Sequence, residues 1–444
     1  MNPYLPHTPE DIASMLGRCG AASLDELFSD VPAQLRLGKG GYALGAPMAE
    51  AEVNRYFRSL GKKNLETACF AGAGFYSHYC PAAVEAITSR SEFYTAYTPY
   101  QPEISQGTLQ YIFEYQSMIA SLTGMDVANA SMYDGATATA EAMMMAVAAS
   151  KKRRRVLVSA TLLPAVSQVL ATYAEGQDII LETVSDHNGA TDRKALSEQL
   201  GAGDVAAVIV ATPNRFGILE DFEGLAEEVH AAKALLIINT HASTLGVLRS
   251  QGEWGADIAC GEAQSLGIPL NYGGPGLGYL ACRQSLMRKM PGRIVGATTD
   301  DDGQRVFVLT LQAREQHIRR HKATSNICSN QGLMTLHAAV YLSLLGPEGL
   351  REVNETSASI AHDLVARLTA GGKLREKFAG REWLNECVLE IVDEGLTPRR
   401  ILDACLERGI LAGKIIGEKE IMVCATETCT PEDVKQYVEA VEAL

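Results

Sequence analysis

Short β-branched apolar runs alternate with stretches of helical periodicity through the middle of this chain, and that alternation predicts most of its architecture. Runs at 156–160, 179–184, 205–211 and 235–238 read as buried strands, and the stretches 163–174, 192–200 and 222–232 read as the helices between them. Such a pattern predicts a mostly parallel, helix-covered sheet that places ligands at the carboxyl ends of its strands. Two more strand runs, 257–260 and 279–283, bracket a loop rich in glycine and proline. Upstream, the stretch 106–124 sets Leu109, Ile112, Phe113, Gln116, Ile119 and Ala120 on one helical stripe.

The ends of the chain carry their own signals. Thr8-Pro9-Glu10-Asp11 is a helix start, with a hydroxyl cap, a proline in the first turn and acids against the positive end of the dipole. Ser23 followed by Glu26 repeats it as a capping box. Residues 1–65 are therefore expected to form a helical arm, which either embraces a neighbouring subunit or packs on its own domain. A large α/β domain over 66–345 and a smaller α/β unit over 346–444 complete the expected organisation. Helices are expected at 332–345 and 347–368. The smaller unit should contain strands at 387–392, 411–416 and 421–425, a helix at 398–408, and a last helix capped by Thr430.

Composition narrows the class. The 444 residues are 47% hydrophobic and 21% charged, which is ordinary for a globular protein. A formal charge of -14 and a pI near 5.2 argue against a nucleic-acid surface and suit small metabolites or other proteins as partners. The one basic run, 151–155, is expected to be a solvated helix end or a partner contact. Ten cysteines are spread singly, and Cys424 and Cys429 have no second pair to complete a zinc site. No secretion signal opens the chain, and no apolar run approaches the roughly 20 residues that span a bilayer. A cytoplasmic location is expected.

Candidate chemistry lies in three loops. Between Phe70 and Glu103 glycines and aromatic residues dominate, and two X-Pro steps stop any helix there. Tyr97 and Tyr100 are thus held on a loop, as a pocket wall or as packing beneath it. Asp134-Gly135-Ala136 is a tight turn opening a helix of small residues, suited to an anion at its positive end. The third loop, Gly261 to Gly278, resembles the cofactor loop of the fold type I pyridoxal-phosphate enzymes, in which a lysine near the loop's start forms a Schiff base. That resemblance implies a mostly parallel seven-stranded large domain and a small C-terminal α/β domain. Here the lysine's position holds Gln264, whose amide nitrogen cannot attack an aldehyde. The aspartate that pairs with the cofactor's ring nitrogen in those enzymes is also missing, since 239–243 reads Asn-Thr-His-Ala-Ser.

Three strings are more specific. The stretch from Tyr94 to Glu103 continuing into Ser105-Gln106-Gly107, the segment 128–137, and Arg314-Glu-Gln-His-Ile-Arg-Arg running through Lys322-Ala-Thr-Ser-Asn-Ile-Cys328 resemble the glycine dehydrogenase (decarboxylating) family. These are the P-proteins of the glycine cleavage system, and the match is to the lysine-lacking subunit of their two-subunit form. The resemblance implies decarboxylation of glycine and transfer of the aminomethyl group to the lipoyl arm of the H-protein. It also implies a lysine-bearing glycine dehydrogenase subunit 2 that holds pyridoxal phosphate, in an assembly of two of each subunit. On this basis Gln264 leaves the chain without a catalytic lysine of its own. Thr324 and Ser325 are expected to reach the partner's cofactor phosphate. Tyr97, Tyr100, Arg319 and Lys322 are expected to line the partner's substrate pocket at the interface. Cys328 is expected to be a structural thiol.

Two rival readings follow from the residues. In one, Lys322, set in the string His321-Lys322-Ala-Thr, is the Schiff-base lysine of an autonomous enzyme, with Arg319 and Arg320 lowering its pKa. Against this, Lys322 follows a charged amphipathic segment instead of a buried strand end. In the other, the chain is a non-catalytic scaffold or regulatory protein on an abandoned enzyme fold.

Overall fold

The computed structural model describes residues 4, 6–38, 41–150, 152–328 and 330–444. The chain divides into two units, Met1–Leu65 and Glu66–Leu444. The first contains helices α1 (Pro9–Cys19) and α2 (Glu50–Gly61), neither with a buried residue. Thr8 caps α1 as expected, its side chain accepting from the Asp11 amide at 3.2 Å while Asp11 returns a bond to the Thr8 amide at 2.9 Å. Ser23 departs from expectation. It caps only a five-residue 3-10 turn (Leu24–Phe28), and Glu26 accepts from Ala22 instead of closing the box on Ser23.

The second unit is built on a seven-stranded sheet. Its strands in chain order are β1 (Val127–Ala128), β2 (Arg155–Ser159), β3 (Ile180–Val184), β4 (Val205–Ala211), β5 (Leu235–Asn239), β6 (Ile258–Glu262) and β7 (Gly278–Cys282). Across the sheet they run β1-β7-β6-β5-β4-β2-β3. All ladders are parallel except the two that β7 makes with β1 and β6. Every residue of β4, β6 and β7 is buried, which is why these strands read as unbroken apolar or small runs. The helices of this unit include α3 (Gln106–Thr123), α4 (Gly135–Ala149), α5 (Pro164–Glu175), α6 (Arg193–Leu200) and α7 (Leu225–Ala231). Helix α7 starts later than its periodicity suggested, because Gly224 adopts a left-handed φ of 72°.

The basic run has a structural use. Lys151 lies outside the described residues. Arg153 and Arg154 donate to the backbone carbonyls of Val205 and Gln177 at 2.7 and 2.6 Å, and Arg155 pairs with Glu182 and Asp204 at 2.6 and 2.9 Å. These arginines tie together the amino-terminal edge of the sheet.

A hairpin of β8 (Ile294–Thr299) and β9 (Arg305–Thr310), not expected from the sequence, follows β7. Helix α8 (Gly332–Ala370) is broken by Gly346 at φ 62° just before Pro347, where the two expected helices meet. The C-terminal residues form an antiparallel sheet of β10 (Leu374–Glu376), β11 (Glu386–Ile391), β12 (Lys414–Gly417) and β13 (Glu420–Cys424), in the order β10-β11-β13-β12. Helices α9 (Pro398–Leu406) and α10 (Pro431–Glu442) accompany it. The expected strand 411–416 is divided. Ile410–Leu411 pairs in parallel with Ala68–Cys69, and Gly413, at φ 134°, turns the chain into β12. Among the described residues no helix is long and apolar enough to cross a membrane.

One of the tightest backbone approaches is between β6 and the turn after β5. Gly261 has φ 154°, and a Cβ there would lie 1.9 Å from the Thr240 carbonyl oxygen. Gly261→Ala should therefore cost about 3 kcal/mol or more of unfolding free energy. Urea denaturation followed by circular dichroism measures it, and a loss below about 1 kcal/mol would mean that the approach relaxes.

Candidate functional site

Strand β6 delivers Glu262 and then Gln264 to the carboxyl edge of the sheet, where an α/β fold places its ligands. Gln264 is 2% exposed and its side chain is fully engaged. Its carbonyl accepts from the Tyr76 amide at 3.1 Å, and its nitrogen donates to the carbonyls of Tyr76 and Ile268 at 3.2 and 2.6 Å. The residue in the lysine's place is thus a brace between the loop and the segment around Tyr76. Tyr76 in turn donates its hydroxyl to Glu386 on β11 at 2.9 Å.

Glu262 is the second fixed point. One carboxylate oxygen accepts from the amides of Gln264 and Leu277 at 3.0 and 2.8 Å, and the other accepts from the Gly135 amide at 2.8 Å. Burial raises its pKa, opposed by these three backbone bonds. Asn239, the last residue of β5, donates to the Thr139 hydroxyl at 2.7 Å. His241 lies edge-on to Tyr76 with ring centroids 4.5 Å apart, and its two buried ring nitrogens have no hydrogen-bond partner among the described residues. Burial lowers its pKa to about 3, so the ring is neutral. Tyr76, Asn239, His241 and Glu262 line a cavity of about 340 Å³ that also admits Asp134, Arg215 and Lys414. The residues do not fit pyridoxal phosphate. No amine stands at position 264, no carboxylate stands at 239–243, and the amide that would open the phosphate site at α4 is bound by Glu262.

A second cleft, of about 380 Å³, is lined by Tyr94, Tyr97, Arg293 and Asn330 among others. Arg293 was not anticipated. It is 4% exposed, its Nη2 donates to the Tyr100 hydroxyl at 3.2 Å, and its guanidinium lies 5.4 Å from that ring's centre. Glu315 stands 3.9 Å from its Nε, and His317 stacks edge-on to Tyr100 at 6.0 Å. The only sequence sign of Arg293 is a cation between Pro291-Gly292 and the apolar start of β8.

The other expected residues are distributed around this region. Tyr97 is 84% exposed, and Tyr100 is about half exposed. Arg319 and Lys322 are exposed beside a short turn (Arg320–Lys322). Lys322 therefore lacks the buried environment that activates a Schiff-base lysine. Thr324 is exposed, whereas Ser325 is half-buried and donates to Glu141 of α4 at 2.8 Å. Cys328 is exposed, and its amide donates to the Tyr133 hydroxyl at 3.3 Å. Cys424 and Cys429 are both buried, and no metal-binding group occurs among the described residues.

The family model for the glycine cleavage system P-protein matches residues 2–441. The chain belongs to this family. A P-protein relative from Moorella thermoacetica, named probable glycine dehydrogenase (decarboxylating) subunit 1, is 48% identical over 447 residues and is matched over 99% of each chain. One of the same name from Geobacillus kaustophilus is 46% identical, over 98% of this chain and 97% of that protein. A crystal structure of glycine decarboxylase (P-protein) in inhibitor-bound form superposes with a TM-score of 0.89 at 43% identity, covering 99% of both chains. A sphingosine-1-phosphate lyase of Burkholderia pseudomallei, at 14% identity and TM-score 0.66 over 91% of this chain and 93% of its own, shares the fold alone. The P-protein chain thus has the type I architecture that its cofactor loop suggested.

Two buried carboxyls of this unit should make its stability depend on pH. Burial raises Glu386 and Glu141 from 4.5 to about 7. The unfolded chain ionises these groups first, so their contribution is present below about 4.5 and is lost as pH rises through 7. The double variant Glu386→Gln/Glu141→Gln should gain on the wild type between pH 5 and 8, by about 2–3 kcal/mol per carboxyl at most. Urea unfolding at both pH values measures the gap, and an unchanged gap would contradict the assignment.

Proposed function

We propose that this chain is the lysine-lacking half of a two-subunit glycine decarboxylase in the glycine cleavage system. A lysine-bearing second subunit holds the pyridoxal phosphate, and the pair decarboxylates glycine and passes the aminomethyl group to the lipoyl arm of the H-protein. The observation that carries this reading is Gln264, a buried amide with every hydrogen-bonding group spent, in a chain that matches P-protein relatives over its full length. Pyridoxal phosphate supplies the electron sink of the reaction and belongs to the partner.

The contribution of this chain is then to shape the partner's pocket from the cleft side. Tyr97 and Tyr100 supply hydroxyls and ring faces, and Arg319 and Lys322 offer positive charge to a carboxylate or phosphate. Thr324, with a free exposed face, is the better placed hydroxyl for the partner's phosphate, because Ser325 is committed to Glu141. Polar atoms along this region support an interface. Arg293 Nε, Arg314 Nε and Nη2, Glu315 Oε1 and Glu141 Oε2 are buried without a hydrogen-bond partner among the described residues. Tyr94, Ile104 and Ile318 add exposed apolar surface of the kind that subunits cover. The helical arm is assigned to embracing the neighbour. We place the assembly, two of each subunit, in the cytoplasm.

Reconstitution tests the proposal. Purified alone, the chain should neither retain pyridoxal phosphate nor decarboxylate glycine, and activity should appear when the second subunit and H-protein are added. Tyr97→Ala, Tyr100→Ala and Thr324→Ala should each lower kcat/KM of the reconstituted enzyme by about 10-fold or more, a loss of about 1.4 kcal/mol in transition-state binding. Full activity from this chain alone would refute the reading. Variants without effect would instead favour the scaffold.

A further inference from the structure

We propose that Glu262 is a built-in surrogate for the phosphate of the cofactor: its carboxylate fills the anion site at the start of α4 and keeps phosphorylated ligands out of this subunit. The first N–H groups of a helix have no partners within it and attract anions. In α4 three of them are already satisfied by the chain itself. The Asp134 amide donates to the Thr137 hydroxyl at 3.2 Å, the Thr137 amide donates to the Asp134 carboxylate at 2.8 Å, and the Gly135 amide donates to Glu262.

Glu262 does more than cap. Its other oxygen gathers the Gln264 amide from the start of the loop and the Leu277 amide from its end. Three backbone donors from three parts of the chain thus converge on one carboxylate that is 8% exposed. Glycines fit closely around it. A Cβ on Gly135 would lie 2.9 Å from the Cβ of Glu262, and one on Gly276 would lie 3.4 Å from each of its carboxylate oxygens. A phosphate brought to this point would lose the Gly135 amide and face the negative charges of Glu262 and Asp134 in a region of low dielectric.

The replacement of lysine by Gln264 and the filling of the phosphate site by Glu262 stand two residues apart on the same strand end. The first removes the covalent bond to the cofactor. The second removes its main ionic anchor and lets the loop fold without a ligand. This inference rests on the fold and on the bonds of Glu262, not on the reaction proposed above, so it survives if that reaction proves wrong.

The test is isothermal titration of inorganic phosphate into the full chain purified alone, which reads binding and not decarboxylation. The wild type should show no saturable heat up to about 10 mM phosphate, whereas Glu262→Ala should bind one equivalent at least about tenfold more tightly and gain thermal stability from it. Phosphate soaked into crystals of Glu262→Ala should lie on the Gly135 amide. If the alanine variant does not fold, Glu262→Gln keeps the volume and two of the three backbone bonds while removing the charge. It should then take up phosphate measurably, though more weakly. Saturable wild-type binding at the Gly135 amide, or variants as indifferent to phosphate as the wild type, would overturn the proposal.

Discussion

Where β6 ends, a helix start and both ends of a loop each present an amide that the sheet cannot satisfy, and a single buried carboxylate accepts from these three, Gly135, Gln264 and Leu277. From Glu262 a hydrogen-bonded line continues through the Gln264 amide and side chain to the Tyr76 backbone, and from the Tyr76 hydroxyl to Glu386 in the C-terminal sheet. Each link is buried, so breaking any one strands a polar group at a cost well above the net worth of the bond. This line fixes the loop, joins it to the C-terminal sheet, and determines the shape of the neighbouring cavity. Groups that would serve chemistry in a type I enzyme here serve the fold.

How much of this was legible depended on the distance over which each role is defined. Strands such as Val205–Ala211 were readable because burial on both faces demands apolar residues throughout, and the caps at Thr8 and Thr430 were readable because both partners lie within one turn. Gln264 was legible by its chemistry alone, since no amide can replace an amine. Glu262 was not, because its meaning comes from Gly135, 127 residues away, and Leu277, 15 residues away. Arg293 was missed for the same reason, since Tyr100 is 193 residues distant. The β8–β9 hairpin escaped because β8 turns from buried Ile294 and Val295 to exposed threonines, leaving too short an apolar run to register, although the acidic turn at Asp300–Gly303 marks it.

The two cavities of the second unit differ in how their polar groups are satisfied. Around the old cofactor site Gln264 and Glu262 are bonded, and what stays without a hydrogen-bond partner among the described residues is neutral: both nitrogens of His241, whose pKa burial lowers, and the hydroxyls of Thr240 and Ser265. In the second cleft Arg293, and beyond it Arg314 and Glu315, each retain a buried atom with no hydrogen-bond partner among the described residues. Buried guanidinium and carboxylate groups left in that condition are costly unless something else completes them. The charged groups that lack a hydrogen-bond partner thus lie near the aromatic loop and the segment after β9, whereas those left on the floor of the old site are neutral.

If this chain is the lysine-lacking half proposed above, that distribution explains why such a half need not be a degraded one. A pocket completed across an interface requires side chains held to within fractions of an ångström, and such precision comes from supporting bonds behind the surface more than from the surface residues themselves. Ser325 is fixed on Glu141 of α4, and the start of α4 is fixed by Glu262. The carboxylate that closes one site thus anchors the helix on which the segment serving the other is held. On the proposed reading, a filled anion site in this chain and a rigid outward face are two consequences of one arrangement of bonds.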